Sequence, residues 1–112
     1  MATNRSYTDI EQSKKLAEIL PLESADMFYM LMPDGAYNHF PLTGRKTELA
    51  EDTDLPCWSL SALIKTLPNG GMLVKTSMGM YYCFEGSYMT EHYNEPIDAV
   101  YQMLLELKRK EL

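Results

Sequence analysis

The side chains that could carry nucleophilic chemistry are Cys57, Cys83, His39 and His92, which stand singly along the chain. A Cys/His pair acts as nucleophile and base only where the two side chains meet in the fold and a third group orients the base. No local motif marks either cysteine as a nucleophile. Cys83 alternates with aromatic residues, which is typical of a small buried side chain. We assign no catalytic residue, and the lack of a catalytic motif in the sequence favours a protein that is not an enzyme.

The spacing of residues in the sequence does not match a zinc, calcium or phosphate-binding motif either. The same four residues are too scattered to form the close ligand pairs of structural zinc. Glu48, Glu51 and the run Asp52-Thr53-Asp54 lack the glycine-centred ligand series of a calcium loop, and they indicate a solvated acidic loop. Asn69-Gly70-Gly71 leads from a predicted helix into a strand, whereas phosphate loops lead from strand into helix. No metal or cofactor is therefore predicted.

Tyrosine and methionine are unusually abundant, with eight and nine copies in 112 residues. Tyrosine suits interfaces because one end is apolar and the other is polar, and methionine suits adaptable binding surfaces. Both also fill the cores and rims of sheets, so a purely structural role is the alternative. The candidate binding residues crowd one region of the sequence: Tyr81, Tyr82, Tyr88, Met89 and Tyr93.

Three helices would position these residues. The first is predicted over Asp9–Leu20, with Thr8 as N-cap and Glu11 completing a capping box. The second is predicted over Leu60–Leu67, and the third from about Glu95 or Pro96 to Lys110. The third helix should present an apolar face made by Ile97, Val100, Tyr101, Leu104 and Leu105.

Trp58 directly precedes Ser59, the predicted N-cap of the second helix. A large apolar side chain at this position often packs onto the first helical turns. The spacing therefore predicts that Trp58 is buried and does not stack on a ligand. It also predicts that one helix stripe faces the sheet: Leu60, Leu63, Ile64 and Leu67.

The strands are predicted in two groups. A hairpin joins Met27–Met32 to Ala36–Phe40 through the turn Pro33-Asp34-Gly35, and residues 41–56 follow as an irregular loop. Three strands come later, at Met72–Thr76, Met80–Glu85 and Ser87–His92. In the middle one, Met80, Tyr82 and Phe84 share one face, and Tyr81 and Cys83 share the other.

The order α-β-β-α-β-β-β-α predicts a single α+β domain over residues 1–112. Short turns within each strand group favour antiparallel pairing. We expect an antiparallel or mixed sheet of about five strands, with three helices packed mainly on one face.

The net charge and the number of cysteines indicate the compartment of the protein and the partners it is not expected to bind. Its net charge of −6 opposes nucleic-acid binding, and Lys108-Arg109-Lys110 is explained as cations that complement a helix C-terminus. No apolar run suits a signal peptide or approaches the ~20 residues of a membrane span. With only two cysteines, we expect a cytoplasmic protein whose thiols are both reduced and which does not enter membranes.

Three segments carry a resemblance to known sequences: Glu11-Gln12-Ser13-Lys14-Lys15-Leu16 with Ala25-Asp26-Met27, then Pro56-Cys57-Trp58-Ser59-Leu60-Ser61-Ala62-Leu63, then Asn94-Glu95-Pro96-Ile97-Asp98-Ala99. With these segments the chain resembles uncharacterised small proteins carried by Bacteroides-like bacteria and by their prophages or conjugative elements. The resemblance implies cytoplasmic residence and a mobile-element setting. It implies no activity and carries over no catalytic residue.

Two hypotheses for function remain open. The first is a non-enzymatic protein-interaction or regulatory module whose partner is another protein, with self-association of the chain kept open. The second is a small-molecule-binding protein or small hydrolase with a cleft near Cys83, His39 and His92. An exposed apolar patch would favour the first, and a deep pocket with converging polar groups would favour the second.

Overall fold

The computed structural model describes residues 6–43 and 54–110, which contain three α-helices and six short β-strands. The helices are α1 (Ile10–Ala17), α2 (Leu60–Lys65) and α3 (Pro96–Lys110), and a 3-10 helix spans Leu22–Ser24. The strands are β1 (Met27–Tyr29), β2 (Leu42–Thr43), β3 (Leu55–Cys57), β4 (Met72–Lys75), β5 (Tyr81–Glu85) and β6 (Tyr88–Met89). The predicted α+β class is confirmed. The predicted loop acids Glu48, Glu51 and Asp52, with Thr53, lie outside the described residues.

Within the described residues the strands form two antiparallel sheets of three strands each, in place of the expected sheet of about five. Sheet one has the order β2-β1-β3, and sheet two has the order β4-β5-β6. Strand β3 lies in the region predicted to be irregular. Its central residue, Pro56, argues against a strand because proline cannot donate a backbone hydrogen bond. The structure nevertheless places Pro56, which is buried, opposite Phe28 in the ladder.

The predicted turn after β1 is present, but the return of the hairpin differs from the prediction. The amide of Gly35 donates to the carbonyl of Met32 at 2.9 Å, which closes the turn. Ala36–Phe40 is not a continuous strand, because only Tyr37 in it bridges back, to Leu31. Pairing with β1 resumes in β2, beyond a break that leaves Phe40 70% exposed.

Helix α1 starts one residue later than the capping pattern predicted. Asp9 is the N-cap, and its carboxylate accepts from the Gln12 amide at 2.7 Å. The Asp9 amide donates in turn to the Gln12 side-chain oxygen at 3.1 Å, so the capping box uses Asp9 and Gln12 instead of Thr8 and Glu11. The Thr8 hydroxyl is fully buried and bonds elsewhere, to the Ser13 hydroxyl at 2.7 Å.

The main hydrophobic core is built around Trp58, which is 0% exposed as predicted. Ser59 caps α2 as expected, with its hydroxyl accepting from the Ala62 amide at 3.1 Å. Leu63 is fully buried on this helix, and Leu60 and Leu67 pack against the same core. The prediction for Ile64 is wrong, since it is 40% exposed. The helix ends at Lys65, and it packs against α3 along a narrower face than the stripe indicated.

Helix α3 has the predicted bounds and covers one side of sheet two. Its inward positions Ile97, Val100 and Met103 are fully buried, and Leu104 is 6% exposed. Tyr101 is half-buried against the same core. Among the helices of the described segments, none combines the length and the apolar character that a bilayer span requires.

Candidate interaction face on sheet two

Sheet two separates its side chains into two faces by the alternation along β5. Cys83 points inward and is fully buried, whereas Tyr82 and Phe84 point to the other side. The register places Met72 of β4 and Met89 of β6 directly opposite Phe84, on its two sides. Directly opposite residues of an antiparallel ladder share a face. We call the side that faces away from α3 the outer face, formed by Met72, Val74, Tyr82, Phe84, Met89 and His92.

The outer face is apolar and open to water. Met72 is 50% exposed and Met89 is 57% exposed, and Phe84 lies between them, partly exposed. The rings of Tyr82 and Phe84 stack with centroids 6.3 Å apart. The His92 ring meets Tyr82 edge-on, with centroids 5.0 Å apart. None of the six side chains that define this face is an acid, a lysine or an arginine.

A bulge after β6 gives His92 its position. Phe84 and Tyr81 are three positions apart on β5, but their partners Met89 and Tyr93 are four positions apart. The extra residue lies in the segment 90–92, where Thr90 fills the gap. Its hydroxyl accepts from the Cys83 amide at 2.9 Å, and its own amide donates to the Cys83 carbonyl at 2.9 Å. A bulge changes the face of the sheet to which the residues after it point. This one places Tyr93 on the inner side and His92 on the outer face.

The five candidate binding residues divide between the two faces of sheet two. Tyr82 and Met89 lie on the outer face. Tyr81, Tyr88 and Tyr93 lie on the inner side, where they pack against the main core. Burial, followed by the charge of Glu106, raises the pKa of Tyr88, and burial followed by Glu91 raises that of Tyr93.

The period-two alternation of the sequence had already placed Phe84 beside Tyr82. Two other members of the outer face, Met72 and Val74, were not identified as candidates, and His92 was considered only for a cleft with Cys83 and His39. The register of β4 on β5 places Met72 and Val74 on the outer face, and the bulge places His92 there. Neither feature has a local sequence signal.

Cys83, His39 and His92 are not brought together. Cys83 is fully buried on the inner side, and burial raises the pKa of its thiol to about 11. His92 lies on the outer face against Tyr82, so the sheet separates it from the thiol. His39 is exposed in the break of the hairpin in sheet one. A thiolate nucleophile needs a lowered pKa and access to substrate, and Cys83 has neither.

Cys57 belongs to a second, smaller core between sheet one and α1. Its thiol is fully buried and donates to the Thr8 carbonyl at 3.4 Å, while the Tyr29 hydroxyl donates to the same carbonyl at 2.8 Å. Burial raises the pKa values of both Cys57 and Tyr29. These contacts satisfy buried polar atoms, and their surroundings favour the neutral thiol.

Asp54 departs from the predicted solvated loop. It is 7% exposed, and its carboxylate accepts from the Leu31 amide at 2.9 Å, which ties β3 to the hairpin of sheet one. Over residues 6–43 and 54–110, no three His, Cys, Asp or Glu side chains come together in a group that could hold a metal ion.

Comparison of the chain with protein-family models, with curated proteins and with solved structures finds no match.

Proposed function

We propose that this chain is a small non-enzymatic protein-interaction or regulatory module of the cytoplasm, and that the outer face of sheet two binds its protein partner. The supporting observation is the exposed row Met72–Phe84–Met89, which crosses all three strands. Water-exposed apolar patches on small proteins commonly mark interaction sites. Methionine side chains on both sides of an aromatic ring can adapt to the shape of a partner.

The size of the face indicates how strongly it can bind. Fully burying one Val, Met or Phe side chain contributes ~1.5–3 kcal/mol, and these side chains are already partly buried. Completing the burial of the four such side chains on the outer face therefore yields roughly 5 kcal/mol. Association costs ~4–15 kcal/mol. The apolar row alone supports a transient complex, and a stable one needs polar contacts around its edge.

Charge indicates the kind of protein that would supply those contacts. The chain carries a net charge of −6, whereas the outer face itself has no acid, lysine or arginine. A partner with an apolar patch surrounded by lysine and arginine would be attracted over a distance and then docked by burial. We therefore expect binding to weaken as salt rises, mainly through a slower association rate.

The test compares two pairs of methionine substitutions in the tagged full-length protein. Met72→Lys with Met89→Lys places two cations on the outer face, and Met30→Lys with Met32→Lys makes the same change at exposed positions near the hairpin of sheet one. Proteins co-purified from source cells are quantified by mass spectrometry, and the leading candidate is purified for direct titration. We expect that candidate to bind the wild type and the Met30/Met32 variant alike, and the Met72/Met89 variant at least about tenfold more weakly.

Folding of both variants is checked by thermal melts before binding is compared. Equal binding by all three proteins would show that the outer face is not the site. Sedimentation equilibrium addresses the other occupant, a second copy of the chain. A wild-type dimer that the Met72/Met89 pair dissociates would assign the face to self-association and replace the proposed partner.

A further inference from the structure

Two adjoining cavities lie where the C-terminal ends of α1 and α3 meet. One has a volume of about 240 Å³ and is lined by Lys15, Glu18, Ile19, Leu105, Lys108 and Arg109. The other, of about 130 Å³, shares Ile19 and Lys108 with the first and continues towards Pro68. We call the two together the basic-rimmed groove. It includes none of the residues of the outer face.

The floor of the basic-rimmed groove is apolar. Ile19 and Leu105 form it in the larger cavity, and Leu20 and Leu107 continue it in the smaller one. All four side chains are only half-buried, so they retain area that a ligand could cover. Covering apolar surface contributes ~25 cal/mol per Å², which favours a ligand with a hydrocarbon portion.

Cations outnumber acids among the described residues that line the larger cavity of this groove, although the chain as a whole is acidic. In the part of the chain that the structure describes, Lys15, Lys108 and Arg109 line the larger cavity together with one acid, Glu18. Arg109 contacts Glu106 through one guanidinium nitrogen at 2.9 Å, and its side chain is 75% exposed. Because an arginine has five N–H donors, that contact leaves donors for a ligand.

We propose that the basic-rimmed groove binds a small amphipathic anion: a linear hydrocarbon chain of medium length with a carboxylate at one end. Together the two cavities are near the lower limit of the ~300–1,000 Å³ typical of ligand sites, which suits one slender chain. The carboxylate would lie at the rim against Lys15 and Arg109, and the hydrocarbon chain would lie on Ile19 and Leu105. Charge-assisted hydrogen bonds to the rim distinguish this ligand from a neutral molecule of the same shape.

The experiment titrates decanoate, below its micellar concentration, into the full-length protein and follows binding by calorimetry. The key variant is Lys15→Glu, and Lys14→Glu is its matched control. Lys14 precedes Lys15 on the same helix, is exposed, and does not line either cavity. Both variants have the same net charge, so a difference between them reports position. Thermal melts establish that both fold.

We expect saturable binding of one decanoate per chain by the wild type and by Lys14→Glu. Lys15→Glu, and separately Arg109→Gln, should weaken it by about tenfold or more, the usual effect of losing a charge-assisted contact. Decanol, the neutral analogue, should bind at least about tenfold more weakly than decanoate.

Three results would overturn this proposal. Equal losses in Lys14→Glu and Lys15→Glu would show that only net charge matters. Equal binding of decanol and decanoate would show that the rim does not select an anion. Co-sedimentation with phosphatidylglycerol vesicles, without saturable binding of free decanoate, would assign the basic rim to an anionic membrane surface.

Discussion

The indole N–H of Trp58 donates a hydrogen bond to the Ser24 hydroxyl at 2.9 Å, which connects the start of α2 to the 3-10 helix Leu22–Ser24. The indole ring is 0% exposed and is the largest fully buried side chain in the described part of the chain. A buried tryptophan is most favourable where its ring fills the core and its N–H finds an acceptor, and both conditions hold here.

Trp58→Ala should therefore reduce the free energy of unfolding by ~3–5 kcal/mol. This is a large fraction of the ~5–15 kcal/mol that stabilises a typical domain. Trp58→Phe keeps most of the apolar volume but loses the bond to Ser24, so its cost should be smaller. Urea denaturation of the three proteins measures these differences.

Ile64→Ala is the matched control for Trp58→Ala. Ile64 lies on α2 but is 40% exposed, so we expect it to cost less than about half as much as the tryptophan change. A melting temperature of Trp58→Ala within one degree of wild type would contradict the structural role of this residue and favour a surface role in binding.

Thr90→Val should destabilise sheet two, although the two side chains have nearly the same shape. The Thr90 hydroxyl accepts from the Cys83 amide at 2.9 Å within the bulge, and both residues are buried. Valine leaves that amide without its acceptor, at a cost of ~1–3 kcal/mol. Urea denaturation measures the loss.

Thr90→Ser keeps the hydroxyl and should retain most of the stability that Thr90→Val loses. If the serine and valine variants were equally destabilised, the methyl packing of Thr90 would explain the effect instead of its hydrogen bond.

Helix positions could be predicted because their signals are local. The third helix has its predicted bounds, and Trp58-Ser59 predicted both a buried indole and the cap of α2. The first helix begins one residue later than predicted because Thr8 and Asp9 are both good caps, and it ends at Ala17 instead of Leu20. In the structure the Thr8 hydroxyl is hydrogen-bonded to the Ser13 hydroxyl inside the core, and no local sequence pattern predicts this contact.

Sheet organisation could not be predicted, since pairing of β1 with β3 joins segments far apart in sequence. Pro56, at the centre of β3, argues locally against a strand there. Alternation did place Tyr82 and Phe84 on one face of β5. Which face is covered depends on the packing of α3, and the expected burial of Cys83, on the face of Tyr81, was the one local indication of it.

Both cysteine thiols should be protected in the folded protein. Cys57 and Cys83 are 0% exposed and unpaired with one another. Labelling with a chromogenic disulfide reagent at neutral pH should be slow in buffer and should reach two thiols per chain in denaturant without reductant. Zero thiols after denaturation would contradict the reduced state expected from the sequence. Fast labelling of the folded protein would contradict the burial of both cysteines.

Alkaline pH should destabilise the protein, in part through Cys83. Burial raises the pKa of this thiol to about 11 in the folded state, whereas an unfolded cysteine has a pKa of about 8.5. Between these values the unfolded chain binds fewer protons than the folded one, so the free energy of unfolding falls as pH rises. The contribution is complete below about 8.5 and is lost as the pH rises through about 11. Burial raises the pKa values of Cys57, Tyr88, Tyr93 and Tyr101 in the same direction.

The contribution of Cys83 can be isolated by comparing two buried substitutions over the same pH series. Cys83→Ala removes the titrating thiol, and Val100→Ala removes a fully buried group that does not titrate. Urea denaturation from pH 7 to pH 10.5 should give a shallower loss of stability for Cys83→Ala than for wild type, because one proton-linked group is gone. Val100→Ala should be less stable throughout but keep the wild-type slope. Parallel curves for Cys83→Ala and wild type would mean that the thiol titrates normally in the folded protein, and so that it is accessible to water.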